Sequence, residues 1–285
     1  MHKFEKHIEI TAPQASVIQA IEAECALSHQ QIKNAINKGA LWLTRGKGTQ
    51  RLRRVKKPLT NGDTLHFYYN EAVLSQTPLQ AELIKDCHDY SVWYKPYGML
   101  SQGSKWSDHC TIARWAEIHL LPQRPAFIVH RLDRAATGLI VIAHSKSAVK
   151  ALTKLFETRS LKKTYQIIGL GELEPSQTTT ITEPVDGKPA TSHFKSLAYD
   201  KKKDLSLIEV HIESGRKHQI RKHSAFINHP VFGDRLYNTK QNNDEFSDNL
   251  QLCAAKLSFQ CPITNTLSNF ETPAHLLPSI KKLKF

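Results

Sequence analysis

His130-Arg131-Leu132-Asp133-Arg134-Ala135-Ala136-Thr137-Gly138 runs directly into Leu139-Ile140-Val141-Ile142-Ala143. The apolar run is short and β-branched, which predicts a buried strand rather than a helix. The residues before it then form a loop against the core that carries one carboxylate, Asp133, between Arg131 and Arg134. Positive neighbours lower a carboxylate's pKa and keep it ionised. Such a group can be a nucleophile, a general base or half of a salt bridge, and taken alone the string favours the salt bridge.

The whole chain has 285 residues, a length that suggests two domains. Its 39 basic and 26 acidic residues give a net charge of +13, which points to an anionic partner, either nucleic acid or a membrane surface. No apolar stretch reaches the roughly 20 residues that span a bilayer, and the N-terminus lacks the apolar segment of a secretory signal. The expectation is therefore a cytoplasmic protein with no membrane association. Cys25, Cys87, Cys110, Cys253 and Cys261 form no C-x-x-C pair and read as reduced thiols, several of them buried. His218 and His223 lack acidic or thiol partners at ligand spacing, so no metal is expected.

Residues 13 to 27 read as a helix, with Pro13 in its first turn and Val17, Ile18, Ile21 and Cys25 on one face. Ser28 opens an S-x-x-Q capping box before a second helix carrying Ile32, Ala35 and Ile36, and Gly39 suits its end. Strands follow at 41–43 and 65–69. Between them lie seven basic residues, Arg45, Lys47, Arg51, Arg53, Arg54, Lys56 and Lys57, with no acidic one in residues 45–57. A solvated loop would explain that composition. So would a patch that neutralises phosphates and releases their counterions. Charge reversal at Arg51, Arg53 and Arg54 is then expected to weaken nucleic-acid binding and flatten its salt dependence.

Residues 71–82 read as a connection. Beyond it, an apolar strand from Tyr90 ends in the turn Lys95-Pro96-Tyr97-Gly98. Residues 110–121 read as a helix. Ser145 caps another that carries Val149, Leu152, Leu155 and Phe156. Lys163-Thr164-Tyr165 lies in a strand, where Tyr165 is either a packed aromatic or a flat face for a base. Residues 205–212 form another strand whose buried face is ambiguous. Ser214-Gly215-Arg216-Lys217-His218-Gln219-Ile220-Arg221-Lys222-His223 reads as a turn at Gly215 into a basic helix, with Arg221 one helical turn from Lys217.

These strings together resemble the RluA family of pseudouridine synthases: H-R-L-D-R, K-P-x-G, K-x-Y, and the block from Gly215 through Asn228-His229-Pro230 to Asp234 and Tyr237. The N-terminal pattern of two small helices, strands and a basic hairpin resembles an S-four-like RNA-binding domain. The resemblance implies an α+β fold. Its catalytic domain, 83–285, has a mixed, mostly antiparallel sheet flanked by helices. A small α/β RNA-binding domain occupies 1–75.

It also implies isomerisation of uridine to pseudouridine in structured RNA, ribosomal or transfer; the reaction is redox-neutral and adds no group, so no cofactor is expected, and a monomer is the default. Asp133 would be the nucleophile, paired with Arg221, and Tyr165 would lie on the target base. Arg131 would fill the space left by the flipped base, Leu132 and Ile220 would line the pocket, and Arg134, Lys95 and Lys217 would contact substrate. The chain departs from the family pattern at Ala136, Thr137, Asn238 and Cys253, none of them a reacting group. Asn at 238 would tolerate the left-handed backbone that glycine supplies. Two other readings remain: an RNA-binding module that keeps the fold without turnover, and a hydrolase that uses the same carboxylate to release free uracil.

Overall fold

The computed structural model describes residues 2–11, 16–158, 160–238 and 249–283. The chain forms two compact units, Met1–Pro78 with Gln102–Trp115, and Leu79–Ser101 with Ala116–Phe285.

The first unit holds β1 (Lys3–Glu9), α1 (Val17–Glu22), α2 (His29–Asn37), β2 (Leu41–Arg45), β3 (Gly48–Arg51), β4 (Thr64–Asn70) and α3 (Glu71–Leu74). Its sheet has the order β1-β4-β2-β3 and is antiparallel throughout. Alternation along the strands sends Leu41, Leu43, Leu65 and Phe67 into one core with Val17, Ile18, Ile21, Ile32 and Ile36 of the two helices. Pro13 lies outside the described residues, and α1 ends five residues before the expected boundary. The expected capping box is present, with the Gln31 backbone N–H donating to Ser28 Oγ and the Ser28 N–H to Gln31 Oε1.

Residues 102–115 belong to this unit, although the sequence pattern assigns them to the second domain. The reason is electrostatic. Asp108 accepts from Arg53 and lies 3.2 Å from Arg51 Nε, while Ser107 Oγ donates to the Lys38 carbonyl. Gly39 makes the approach possible: a Cβ there would lie 2.5 Å from Asp108 Oδ1 and 2.8 Å from Arg51 Nη1, at φ +87°. The basic hairpin is therefore partly neutralised. Asp63 takes two hydrogen bonds from Arg45, and Asp108 holds Arg51 and Arg53.

The second unit holds β5 (Glu82–Asp86), β6 (Tyr90–Lys95), β7 (Phe127–Ile128), β8 (Thr137–Ala143), α5 (Lys146–Glu157), β9 (Leu161–Leu170), β10 (Thr179–Ile181), β11 (Ser192–Asp200), β12 (Leu205–Ile212), α6 (Gln219–Phe226), β13 (Leu252–Gln260) and β14 (Leu267–Glu271). Helix α4 (Ile112–His119), whose first residues belong to the first unit, is shorter than the expected 110–121. The strands form one ten-stranded mixed sheet, β10-β11-β12-β9-β13-β8-β6-β5, with β14 on β13 and β7 on β8. The β13–β8 pair is parallel and the other strand pairs are antiparallel.

The run after the Asp133 loop takes a central place in this sheet because both its faces are apolar. Leu139, Val141 and Ala143 pack with Ala148, Leu152 and Leu155 of α5 and with Leu257 and Phe259 of β13. Ser145 caps α5 by accepting from the Ala148 N–H at 3.1 Å. On β12 the buried face is Ser206, Ile208 and Val210. A serine is tolerated there because its hydroxyl donates to the Gly171 carbonyl and accepts from the Leu173 N–H.

Candidate active site

Five cross-strand neighbours set the floor of the site. Lys95 on β6 pairs with Gly138 on β8, Gly138 with Ala254 on β13, Ala254 with Tyr165 on β9, and Tyr165 with Val210 on β12. The H-R-L-D-R loop leaves this row at Gly138, and Tyr165 lies two strands away. Gly138 has φ +107°, and a Cβ on it would sit 2.4 Å from backbone atoms of Ala254. A side chain would thus collide with β13 at the point where the loop enters the sheet.

The loop is clamped at both ends. His130 Nε2 accepts from the Val141 N–H at 3.0 Å, and its ring stacks on Phe156 at 4.2 Å. Burial, with Lys163 nearby, draws the His130 pKa down to about 3, so it serves as a neutral anchor. At Leu132, Ser101 Oγ donates to the carbonyl at 2.8 Å and accepts from the N–H at 3.1 Å. The Arg134 carbonyl accepts from the Gly98 N–H at 2.9 Å, and Arg134 Nε donates back to the Gly98 carbonyl. Asp133 is thus fixed by the residues on either side of it. The sequence reading missed Ser101, which has no motif of its own.

Lys95 completes the clamp and does not face substrate. It is fully buried, and its ammonium donates to the carbonyls of Pro96, Met99 and Arg134. Burial lowers its pKa to about 7, against the opposing pull of Asp133. The expected substrate contact is corrected accordingly: the K-P-x-G turn holds the Asp133 loop in place from beneath.

The Asp133 carboxylate is 31% exposed, and the His218 ring faces it, with Nε2 3.7 Å from Oδ2. Neither flanking arginine is its ion-pair partner; Arg131 and Arg134 are exposed. Nor does Arg221 bind it directly. Arg221 is buried and makes a two-bond pair with Asp234, Nε to Oδ2 at 2.7 Å and Nη2 to Oδ1 at 2.6 Å. Asp234 also accepts from the N–H groups of Leu236 and Tyr237, which orient it. The expected Asp133–Arg221 pair is replaced because a more buried carboxylate takes the Nε–Nη2 edge of the guanidinium. Asp133 still acts on Arg221 as a nearby charge.

His218 enters α6 in the left-handed conformation, φ +56°, a state open to histidine, so the sharp turn lies here rather than at Gly215. Its Nδ1 is 2.9 Å from the Tyr237 hydroxyl, and the Arg221 guanidinium lies over the Tyr237 ring at 5.0 Å. Burial holds the imidazole below its ordinary range, against Asp133 and with Arg221 and Lys217 adding to the effect. Lys217 is exposed and precedes the helix.

Gln219 and His223 bind α6 to the sheet. The Gln219 amide donates to the Thr191 carbonyl and Ser192 Oγ, and His223 reaches Ser192 Oγ and the Glu183 carbonyl. Of the two asparagines in this block, Asn228 (φ +63°) takes the left-handed backbone and Asn238 does not.

Tyr165 packs with Tyr97, Ala135, Ala136 and Ile220 in one apolar cluster. Burial, then Asp133, raises the Tyr165 hydroxyl's pKa well above the phenol range, so it stays protonated. Leu132 is buried as well, on the Asp133 loop itself. The structure thus brings together an aspartate, an imidazole, an arginine–aspartate pair and an apolar wall with a flat aromatic. No group of three or more His, Cys, Asp or Glu among the described residues could hold a metal ion.

Residues 89–226 match the family described as RNA pseudouridylate synthase. An RNA pseudouridine synthase of Chloroflexus aurantiacus, described as uncharacterized, is 33% identical over 176 residues, covering 57% of this chain and 54% of that protein. The dual-specificity RNA pseudouridine synthase RluA of Vibrio parahaemolyticus is 29% identical over 210 residues, covering 67% of this chain and 82% of that protein. The chain thus spans about half the length of the first relative. The solved structure of human RNA Pseudouridylate Synthase Domain Containing 1 has the same fold, with a TM-score of 0.58 at 20% identity, over 70% of this chain and 85% of that one.

Proposed function

We propose that this chain, which belongs to the RluA family of pseudouridine synthases, converts uridine to pseudouridine in structured RNA. The single observation that supports the reading best is the placement of Asp133. It is a partly exposed carboxylate on a loop clamped at both neighbours, beside an apolar wall that carries Tyr165. Asp133 is the nucleophile in this account: one carboxylate oxygen bonds to the ribose C1′ as N1 departs, and C5 of the turned base later displaces it from C1′. The bond between N1 and the ribose C1′ breaks, the base turns, and C5 bonds to C1′. C5 then gives up its proton while N1 gains one, so atoms balance without a cofactor.

The target nucleotide must leave its stack, at a cost of a few kcal/mol. Arg131, exposed two residues before Asp133, takes the vacated space, and Tyr165 packs on the uracil. Ile220 and Leu132 keep water from the detached base. Arg221 sets the local field through its pair with Asp234 rather than by holding Asp133. Lys217 and Arg134, both exposed, fit phosphates. In the N-terminal unit, Lys47, Arg54, Lys56 and Lys57 are the basic hairpin residues left for RNA once Arg45, Arg51 and Arg53 are paired. We take the substrate to be ribosomal RNA, with transfer RNA the other candidate, and the compartment to be the cytoplasm.

The test is pseudouridine mapping of total RNA from cells lacking the protein, and from cells carrying Asp133→Ala. A site lost in both identifies the substrate and the activity. Retention of every site in both would favour RNA binding without turnover.

A further inference from the structure

The first unit's sheet has a second face, opposite the helices, and its composition is unusual. One cross-strand row runs over all four strands: His7 on β1, His66 on β4, Trp42 on β2 and Arg51 on β3. Glu5 and Tyr68 form the next row. Residues 102–115 add Lys105 and Trp106 to the same face. Trp106 meets Tyr68 edge to face at 5.8 Å, and Trp42 Nε1 donates to the Lys105 carbonyl at 3.0 Å.

Cations lie over these rings. Arg51, which Asp108 and the Ser104 carbonyl hold in place, packs 4.3 Å from the Trp42 ring centre; the movable cations are Lys3 and Lys105, 5.0 and 5.1 Å from Trp106, with Lys105 also 4.9 Å from Tyr68. His7 and His66 share a hydrogen bond at 2.7 Å and stand edge to face, and His7 also meets Tyr68. A core does not need this arrangement, because the unit's apolar residues already fill the opposite face.

We propose that this outer face is a stacking platform for single-stranded RNA, separate from the uridine site. Flat aromatics spaced over a sheet accept bases of any sequence, and interleaved cations track the phosphates. The lysines are long and exposed. When a base takes a ring face, the ammonium that covered it can turn to the neighbouring phosphate, so one set of side chains serves both partners. Glu5 opposes this, since it holds Lys105 at 2.5 Å. It is a built-in restraint on affinity.

The probe is an oligoadenylate of roughly ten nucleotides, within the span of a small single-strand-binding fold. It contains no uridine, so its binding reports on the platform whether or not the chain is a synthase. Titrated into the full-length protein, it is expected to quench tryptophan fluorescence through Trp42 and Trp106. Trp42→Leu and Trp106→Leu each weaken binding roughly tenfold. Trp42→Phe and Trp106→Phe, which keep a ring, stay within about threefold of wild type and show that the leucine variants failed through stacking rather than folding. Glu5→Gln binds more tightly. Equal binding by the leucine and wild-type proteins, or full competition by inorganic polyphosphate at matched charge, would overturn the proposal and leave the synthase reading untouched.

Discussion

Arg221 and Asp234 form a planar two-bond ion pair inside the second unit, and Asp133 stands outside it. The guanidinium is 6% exposed and the carboxylate 0%. Removing one member of such a pair leaves the other charge buried and uncompensated, at about 3–5 kcal/mol. Asp234→Asn is therefore expected to lower the unfolding midpoint sharply, and Arg221→Lys to fail to restore the two-bond geometry. Thermal denaturation of both variants measures this. A loss below about 1 kcal/mol for Asp234→Asn, the size expected of a surface pair, would show that the pair is not the keystone described.

Ser101 is the least conspicuous member of the site and carries a specific expectation. Its hydroxyl serves both backbone groups of Leu132. Ser101→Ala leaves a buried N–H and C=O without that partner, costing about 1–3 kcal/mol. It also frees the residue next to Asp133. Turnover is expected to fall more than tenfold with little change in KM, because RNA contacts elsewhere are intact. Steady-state kinetics on a uridine-containing RNA would check the split; a rise in KM at constant kcat would place Ser101 in substrate binding instead.

Gly138→Ala should not be tolerated. The new methyl would meet Ala254 backbone atoms at 2.4 Å, in a backbone conformation that L-residues avoid. Strain of this kind costs about 1–3 kcal/mol before the clash is counted. The expected result is insoluble or unfolded protein, read by circular dichroism. A folded, active Gly138→Ala protein would mean that β8 and β13 are not paired at that point.

The first unit should show an acid limb of its own. Arg45 hydrogen bonds, with help from the Thr60 N–H, draw the buried Asp63 carboxylate down to about 2 from 3.8. A carboxylate whose folded pKa lies below its unfolded one stabilises the fold above the unfolded value. That stabilisation is lost as pH falls from 3.8 toward 2. With Arg45 half-exposed, the effect is about 1–2 kcal/mol after solvent screening. Denaturant unfolding at neutral pH and near pH 2 should show a wild-type loss that Asp63→Asn lacks; an equal loss in both would assign the acid limb to other groups.

Much of this was legible in the residues, for reasons that differ by element. β8 and the capped α5 announce themselves because an unbroken apolar run and a 3.6-residue period have few alternatives. The Asp133 loop, Tyr165 and Ile220 stand out in the sequence because the strings that carry them are contiguous. What failed was long-range. The sequence resemblance pairs Arg221 with Asp133, but Asp234, thirteen residues on, competes for the same guanidinium. The K-P-x-G string alone offers Lys95 as a substrate cation, whereas in the fold its ammonium is buried against three carbonyls. The pairing within the basic hairpin is invisible to its local composition because its counter-ions, Asp63 and Asp108, lie outside residues 45–57. β1 went unread because only Phe4 and Ile8 mark its inner face among alternating charges.

The central claim is that Asp133 does the chemistry. It is tested most directly with purified protein and an RNA bearing tritium at carbon 5 of uridine, since forming the new bond at C5 expels that hydrogen. Wild type and Asp133→Asn, matched for folding and RNA affinity, are compared. The account predicts tritium release by the wild type and none by the variant, which keeps the shape of the side chain and loses its charge. Release by Asp133→Asn at a rate near wild type would contradict it.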